Sequence, residues 1–223
     1  LLLGSCLFFE LACSSPKTQD LTPLTGRIKP TPGHGALAPQ NRSHSSTASE
    51  VKRFHAHLMG TPFMISLPVA SKVTEALVGQ AFDEVSRIEG MMSEWQADSE
   101  VSAINRAAGV KAVPISEELF SCLRKAQAIS DQTGGAFDVT WAALRGLWNF
   151  SPDAKIPSKK ILSDTLGKVG YQQLVLDDVG KTAFLKLTGM SIGLGAIAKG
   201  YGIDRAVGVL RKQGLKNFIV DGG

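Results

Sequence analysis

The chain has 223 residues, 43% of them hydrophobic and 20% charged, enough length and apolar content to bury a sizeable core in one large domain or two small ones and to exclude a wholly disordered chain. Part of the formal charge of +4 lies on Lys17, Arg27, Lys29 and Arg42 rather than in a dense patch, so the electrostatic footprint of a nucleic-acid binder is lacking. Three cysteines without a C-x-x-C pair exclude a disulfide framework and a paired-thiolate zinc or redox site, and Cys122 reads as a residue of a helix core.

Residues 1–13 are apolar apart from Glu10 and turn polar at Ser14-Ser15-Pro16-Lys17. The run is shorter than the roughly 20 residues of a spanning helix and reads as the tail of a secretory leader. Two cysteines fit a bacterial lipoprotein signal. Leu3-Gly4-Ser5-Cys6 matches the box better, Cys13 stands nearer the change from apolar to polar, and a leader cut elsewhere stays open beside both. Residues 14–50 are rich in Pro, Thr, Ser, Gly and Gln and carry no apolar period, which predicts a disordered tether. His34 and His44 lie inside it and are poor ligand candidates, since a metal would have to order the segment itself.

The folded part is expected over 51–223. Phe63 to Val69 reads as a strand that Pro68 confines to its end or to a sheet edge. A helix follows, with Val73, Leu77, Ala81, Val85, Ile88 and Met92 on one face and Ser71 as N-cap. Ser116 starts another, whose stripe is Leu119, Leu123, Ala126 and Ile129 and whose end is Gly134-Gly135. After a Pro- and Lys-rich excursion over 151–160, Leu174 to Leu176 and Ala183 to Leu187 predict a hairpin turned through Asp177-Asp178 and Gly180. Ile192 to Gly195 leads into a helix carrying Ile197, Tyr201, Asp204, Val207 and Leu210 that Gly214 closes, and Leu215 to Val220 reads as a buried strand. The order β-α-α-β-β-α-β, with antiparallel pairs, predicts an α+β fold rather than a doubly wound parallel sheet. The chain stops at Asp221-Gly222-Gly223, on a turn that should lead into another element, so a fragment is expected.

Several segments offer chemistry. Gly193-Leu194-Gly195-Ala196-Ile197-Ala198-Lys199-Gly200 sets small residues at a helix start, where free N–H groups and the helix dipole attract phosphate, although close helix–sheet packing explains the same residues. The spacing is neither a dinucleotide fingerprint nor a P-loop. Lys199, read in the first turn, would be disfavoured by the dipole without an anion nearby. Gly134-Gly135-Ala136-Phe137-Asp138-Val139-Thr140 joins a helix stop to an aromatic and a carboxylate, with a capped turn and a core Phe137 as the plainer reading. Trp95 in Ser93-Glu94-Trp95-Gln96 either stacks on a flat ring or caps the core, and the residues alone favour the core. His55 and His57 would share one face of a strand without a third ligand at useful spacing.

Taken in order, His57-x-Met59-Gly60-Thr61, Ser93-x-Trp95 with Asp98-Ser99-Glu100-Val101-Ser102-x-Ile104-Asn105, Gly135-Ala136-Phe137-Asp138-Val139-Thr140 with Leu147-Trp148-x-Phe150, Leu194-Gly195-Ala196-Ile197-Ala198-Lys199-Gly200-Tyr201 with Asp204-Arg205, and Asp221-Gly222-Gly223 closely resemble the ApbE family over about residues 54–223. The resemblance implies mixed, largely antiparallel sheets with packed helices, a fragment lacking the C-terminal part, and FAD:protein FMN transferase activity. In that family FAD and Mg2+ are bound, the pyrophosphate is cleaved, and the FMN phosphate is joined to a Thr or Ser hydroxyl of a partner protein, often a subunit of a membrane redox complex. Magnesium suits that chemistry, because a hard cation bridging phosphate oxygens stabilises charge as the anhydride breaks.

By the same resemblance, Met59, Trp95, Ala136, Phe137, Asp138 and Lys199 are expected to contact FAD, and Ala196 to offer a main-chain oxygen to the metal. Gly193 departs from the family, where Asp is common, so one polar contact is absent or supplied elsewhere. The part beyond residue 223 is expected to bring the remaining metal ligands and the base, which would leave this chain incomplete as a catalyst. With the leader, the resemblance implies a lipid-anchored protein at the periplasmic face of the cytoplasmic membrane. The alternative is a periplasmic FAD-binding or trafficking lipoprotein without transferase activity.

Overall fold

A computed structural model of the chain describes residues 50–69, 71, 74–148 and 155–223. The leader, the tether with Cys6, Cys13, His34 and His44, and also Val73 and Phe150, lie outside the described residues.

Strands β1 (Val51–Leu58) and β2 (Thr61–Pro68) form an antiparallel hairpin whose turn is Met59-Gly60. Both turn residues take positive φ, 51° and 72°, the left-handed pair that matches the twist of a two-residue hairpin. β2 buries Phe63, Ile65 and Leu67, whereas β1 has no fully buried residue and turns His55 and His57 to solvent on one face. This is why its alternation is hard to read from the sequence. Strand β6 (Ile219–Asp221) pairs antiparallel with the other edge of β2, giving the order β1-β2-β6. It is shorter than the expected buried strand, and Ile219 is exposed.

A second antiparallel sheet has the order β3-β5-β4, from β3 (Val113–Pro114), β4 (Leu174–Asp177) and β5 (Thr182–Leu185). The expected hairpin turn is present: the Asp177 carboxylate accepts from the backbone N–H groups of Val179 at 3.1 Å and Gly180 at 3.0 Å. The α+β architecture with antiparallel sheets therefore holds.

Helices α1 (Glu75–Met92), α2 (Glu100–Arg106), α3 (Glu117–Gln132), α4 (Lys159–Leu166) and α5 (Gly195–Lys212) complete the described fold. The first four start on Thr74, Ser99, Ser116 and Ser158, whose hydroxyls accept from a backbone N–H three residues on. Thr74 thus caps α1 in place of the expected Ser71. α4 begins at the end of the Pro- and Lys-rich 151–160 excursion, runs past it and buries none of its residues; the sequence reading includes no helix there.

Two apolar clusters hold these parts together. One joins β2 to the first half of α1 and the second half of α5 through Phe63, Ile65, Val78, Ala81, Ala206 and Leu210. The other joins the end of α1 and the start of α5 to α2, α3 and the second sheet through Ile88, Met92, Leu123, Leu185 and Ala198. The end of α1 and the start of α5 therefore meet in one place. The buried stripe of α5 is Ala198, Gly202, Ala206 and Leu210 rather than the face centred on Asp204, which is exposed. Small residues on that stripe let α5 approach closely: a Cβ on Gly202 would stand 3.1 Å from Met59 Cε and 3.5 Å from Val85 Cγ1.

Candidate functional site

Helix α5 opens differently from the other helices. Leu194 at its N-cap offers no side-chain acceptor, and its first turn has no acidic residue. The N–H groups at such a terminus and the positive end of the dipole are suited to an anion. Gly195 and Ala196 are exposed, and a Cβ on Gly195 would meet nothing within 4 Å. Backbone thus faces open space there.

The segment leading into this terminus is pinned from three sides. Asn105 on α2 accepts from the Ile192 N–H at 2.8 Å and donates to the Ile192 carbonyl at 3.0 Å. The Gly193 N–H donates to the Val139 carbonyl at 2.8 Å, and Trp141 Nε1 donates to the Gly193 carbonyl at 3.3 Å. These bonds fix the position of the terminus before any ligand arrives.

Two hollows flank it. The larger, about 500 Å3, lies between the Met59-Gly60 turn, the end of α1 and the α5 residues Gly195, Ala198 and Lys199, and Trp95 forms part of its wall. That volume falls within the range of small-molecule sites. The smaller, about 240 Å3, is bounded by Ala136, Phe137, Asp138, Trp141, Gly193 and Ala196.

The expected site residues gather around these hollows: Met59, Trp95 and Lys199 on the larger, and Ala136, Phe137, Asp138 and Ala196 on the smaller. Trp95 is 75% exposed, which overturns the core reading that its residues alone favoured. Its backbone is held while its ring stands free: its N–H donates to Ser93 Oγ at 3.2 Å, and the Ser99 hydroxyl ties back to the Ser93 carbonyl. Phe137 is half-buried against the core yet lines the small hollow, so both of its readings apply. Lys199 is the fifth residue of α5 and begins the second turn, not the first, because the helix starts only at Gly195. At that position the helix dipole has faded and does not by itself call for an anion beside Lys199.

The Asp138 carboxylate is occupied by the protein. One oxygen accepts from the Thr140 N–H at 2.7 Å and the Thr140 hydroxyl at 2.6 Å, and the other from the Tyr171 N–H at 2.9 Å. Asp138 therefore shapes the 136–138 turn through these bonds and leaves Ala136 exposed at the rim.

Magnesium finds no ready donor set here. Among the described residues no group of three or more His, Cys, Asp or Glu comes together. Glu94 forms an ion pair with Arg145, and Asp138 is engaged as above. The Ala196 main-chain oxygen by itself does not make a site for a cation that requires octahedral oxygen coordination.

Sequence reasoning missed Glu94 and Arg145. Arg145 follows the 3-10 helix of Val139–Leu144, and its Nη2 stands 2.9 Å from Glu94 Oε1. Its guanidinium carbon lies 4.4 Å from the centroid of Trp95 and 5.8 Å from that of Trp141. No local pattern announces this cluster, which tertiary structure assembles from separate segments.

Comparison with known proteins agrees with this geometry. The model of the ApbE family matches residues 59–223. An FAD:protein FMN transferase of Klebsiella pneumoniae is 28% identical over 134 residues, which are 58% of this chain and 38% of the relative; one of Treponema pallidum is 33% identical over 48% of this chain and 31% of its own length. Among solved structures, the flavin transferase ApbE from Vibrio cholerae superposes with a TM-score of 0.68 at 25% identity, covering 78% of this chain and 58% of that one. The ApbE protein of Thermotoga maritima gives 0.68 at 28% identity, covering 78% and 57%. The chain thus spans well under half the length of these curated relatives. The family's match runs from the Met59 turn to Gly223 and so spans the residues that line both hollows, and the chain is a member of the ApbE family.

Proposed function

We propose that this chain binds FAD across the start of α5 and serves in FMN transfer from FAD to a Thr or Ser hydroxyl of a partner protein. The observation that carries this reading is a three-quarters exposed Trp95 in the wall of a cleft that also holds Lys199 and the uncapped α5 terminus. A free aromatic face suits a flat ring, and a bare helix terminus with a cation suits phosphate. In the transfer, the acceptor oxygen forms a bond to the FMN phosphorus, the anhydride P–O bond to AMP breaks, and the hydroxyl proton passes to a base. The chain's own part is to hold the two ends of FAD and to present the pyrophosphate at the helix terminus. Magnesium, when bound, would stabilise charge on the phosphate oxygens; the described residues do not by themselves hold it.

The acceptor follows from the family reading as a protein of a membrane redox complex. Lipid anchoring through Cys6 or Cys13 at the periplasmic face follows from the leader-like segment and the polar tether. FAD binding or trafficking without transfer is the second reading.

Dialysis of the chain against FAD with an absorbance scan tests binding. Incubation with FAD, magnesium and Thr-containing acceptor peptides, read by mass spectrometry, tests transfer. An FMN-sized mass gain supports the transferase, binding without a gain in a protein extended to the length of the relatives supports the second reading, and absence of binding in that protein rejects both.

A further inference from the structure

We infer that Arg145, which nothing in the family resemblance pointed to, is a phosphate-contacting residue of this chain and sets its preference for phosphorylated over unphosphorylated flavin. The inference deepens the FAD reading and rests on it for the identity of the ligand. The cluster itself is read from geometry.

The guanidinium itself lines neither hollow but stands against Glu94 and Gly193, which do. Glu94 lines the larger, Trp141 and Gly193 line the smaller, and the Arg145–Glu94 pair lies over Gly193 between them. A Cβ on residue 193 would stand 3.1 Å from Glu94 Oε1, 3.2 Å from Arg145 Nη2 and 3.1 Å from the Ala142 Cβ. Glycine at 193 is thus what leaves room for the pair. A ligand with one end in each hollow would pass close to this pair, next to the open α5 terminus.

Arg145 is also incompletely satisfied. Its Nε and Nη2 are buried and, among the described residues, meet no acceptor in hydrogen-bonding geometry. Glu94 Oε1 is near enough to Nη2 for an ion pair but does not lie along the N–H direction, and its own side chain is only 9% exposed. Buried donors without acceptors are costly and call for a physical reason. Besides Glu94 Oε1, what covers this guanidinium is aromatic: the faces of Trp95 and Trp141. Trp141 is anchored by its bond to the Gly193 carbonyl, whereas Trp95 is free to turn away. Displacement of the Trp95 ring uncovers a planar fork that matches two phosphate oxygens, which is the geometry for which arginine is suited and lysine is not.

The test uses the full chain titrated with FAD, inorganic pyrophosphate and riboflavin, followed by calorimetry and by the summed fluorescence of Trp95, Trp141 and Trp148. Arg145→Gln keeps a donor for Glu94 and is expected to weaken FAD and pyrophosphate binding about tenfold or more, the worth of a charge-assisted hydrogen bond, with riboflavin unchanged. Arg145→Lys, which keeps the charge but not the fork, should recover only part of the loss and serves for the same comparison should the glutamine variant unfold. Wild-type affinity for FAD and pyrophosphate in both variants overturns the inference and leaves the FAD reading standing. Equal losses for FAD and riboflavin also overturn it, since Arg145 would then shape the flavin end. Arg145-dependent pyrophosphate binding in a chain that binds neither flavin supports the phosphate contact and rejects FAD as the ligand, whereas no binding of FAD or pyrophosphate by the wild type rejects both.

Discussion

Two groups of charged side chains in this molecule are built on opposite plans. On the face shared by α1, α3 and α5, Arg87 makes paired hydrogen bonds to both Glu84 and Glu118, Arg205 bonds to Glu84 again, and Tyr201 donates to Glu118 at 2.6 Å. Every member has a partner and the network ties three helices. At the start of α5, by contrast, Arg145 keeps buried donors without acceptors, the helix has no cap, and Trp95 stands in solvent. The first plan spends polar groups on the fold. The second withholds them, which is what a binding site requires, since a group already satisfied has little to offer a ligand.

The largest effect is expected where the fold pins the site. Asn105→Ala removes both bonds to the backbone of the fully buried Ile192 and leaves an N–H and a C=O unpaired, at a cost of about 2–4 kcal/mol. Urea denaturation checks it. A loss below that range would mean that the segment before α5 is held by packing alone, and the contrast between a pinned support and an open terminus would weaken.

The satisfied network comes next. Arg87→Ala leaves two largely buried carboxylates to Arg205 and Tyr201 and is expected to cost about 1–3 kcal/mol. The same variant should change the response to acid. Hydrogen bonds from Arg87 hold the Glu84 carboxyl at about 2 against an ordinary 4.5, and Arg87 lowers Glu118 as well. A carboxyl depressed in the folded state contributes stability that is complete above its unfolded value and is lost as pH falls. Wild-type stability should therefore decline from about pH 4.5 toward about pH 2, and the decline should be shallower in Arg87→Ala. Parallel acid profiles for the two proteins would show that the network does not act through Arg87.

The difference between the two regions also explains what the sequence makes legible. Helix starts capped by Ser or Thr are local signals, as at Ser116, and the Asp177 turn of the β4–β5 hairpin is another. Ordered motifs brought Met59, Trp95, Ala136 and Lys199 forward, and these positions do gather around the start of α5. What stayed hidden is tertiary. Three of the four residues on the buried α5 stripe are Ala or Gly, which carry little hydrophobic signal although they allow the closest packing, so the stripe does not stand out in the sequence. Without a side-chain cap, the start of α5 is not marked to the residue, and Lys199 was set one turn too early. Arg145 looks like any loop arginine until Gly193 is brought beneath it.

A smaller effect, and one confined to the ligand, is expected at Trp95. Trp95→Ala should leave stability within about 0.5 kcal/mol, as for exposed positions outside the core, and weaken flavin binding by about 1–3 kcal/mol, the range for stacking on an aromatic side chain. FAD and riboflavin should lose alike, because the ring meets the part they share. A fall in melting temperature without a loss of affinity would place Trp95 among the residues that serve the fold and would erase half of the contrast.

The smallest effect is expected at Lys199, and it sharpens the comparison by separating charge from geometry. Lys199 lies past the first turn of α5, where the dipole has faded, so Lys199→Ala should leave the stability of the free protein unchanged. A half-exposed ammonium beside the larger hollow attracts phosphate through screened solvent, worth about 0.5–1 kcal/mol. The loss should appear for FAD and not for riboflavin, and it should shrink as salt is raised, because the wild-type attraction is then screened as well. Arg145, whose donors are buried, should keep most of its contribution under the same salt. If the two residues lost influence in step, both would act as surface charges, and the buried fork would not be a distinct element of the site. If salt separated them, Lys199 would draw the phosphate toward α5 and Arg145 would fix its position there.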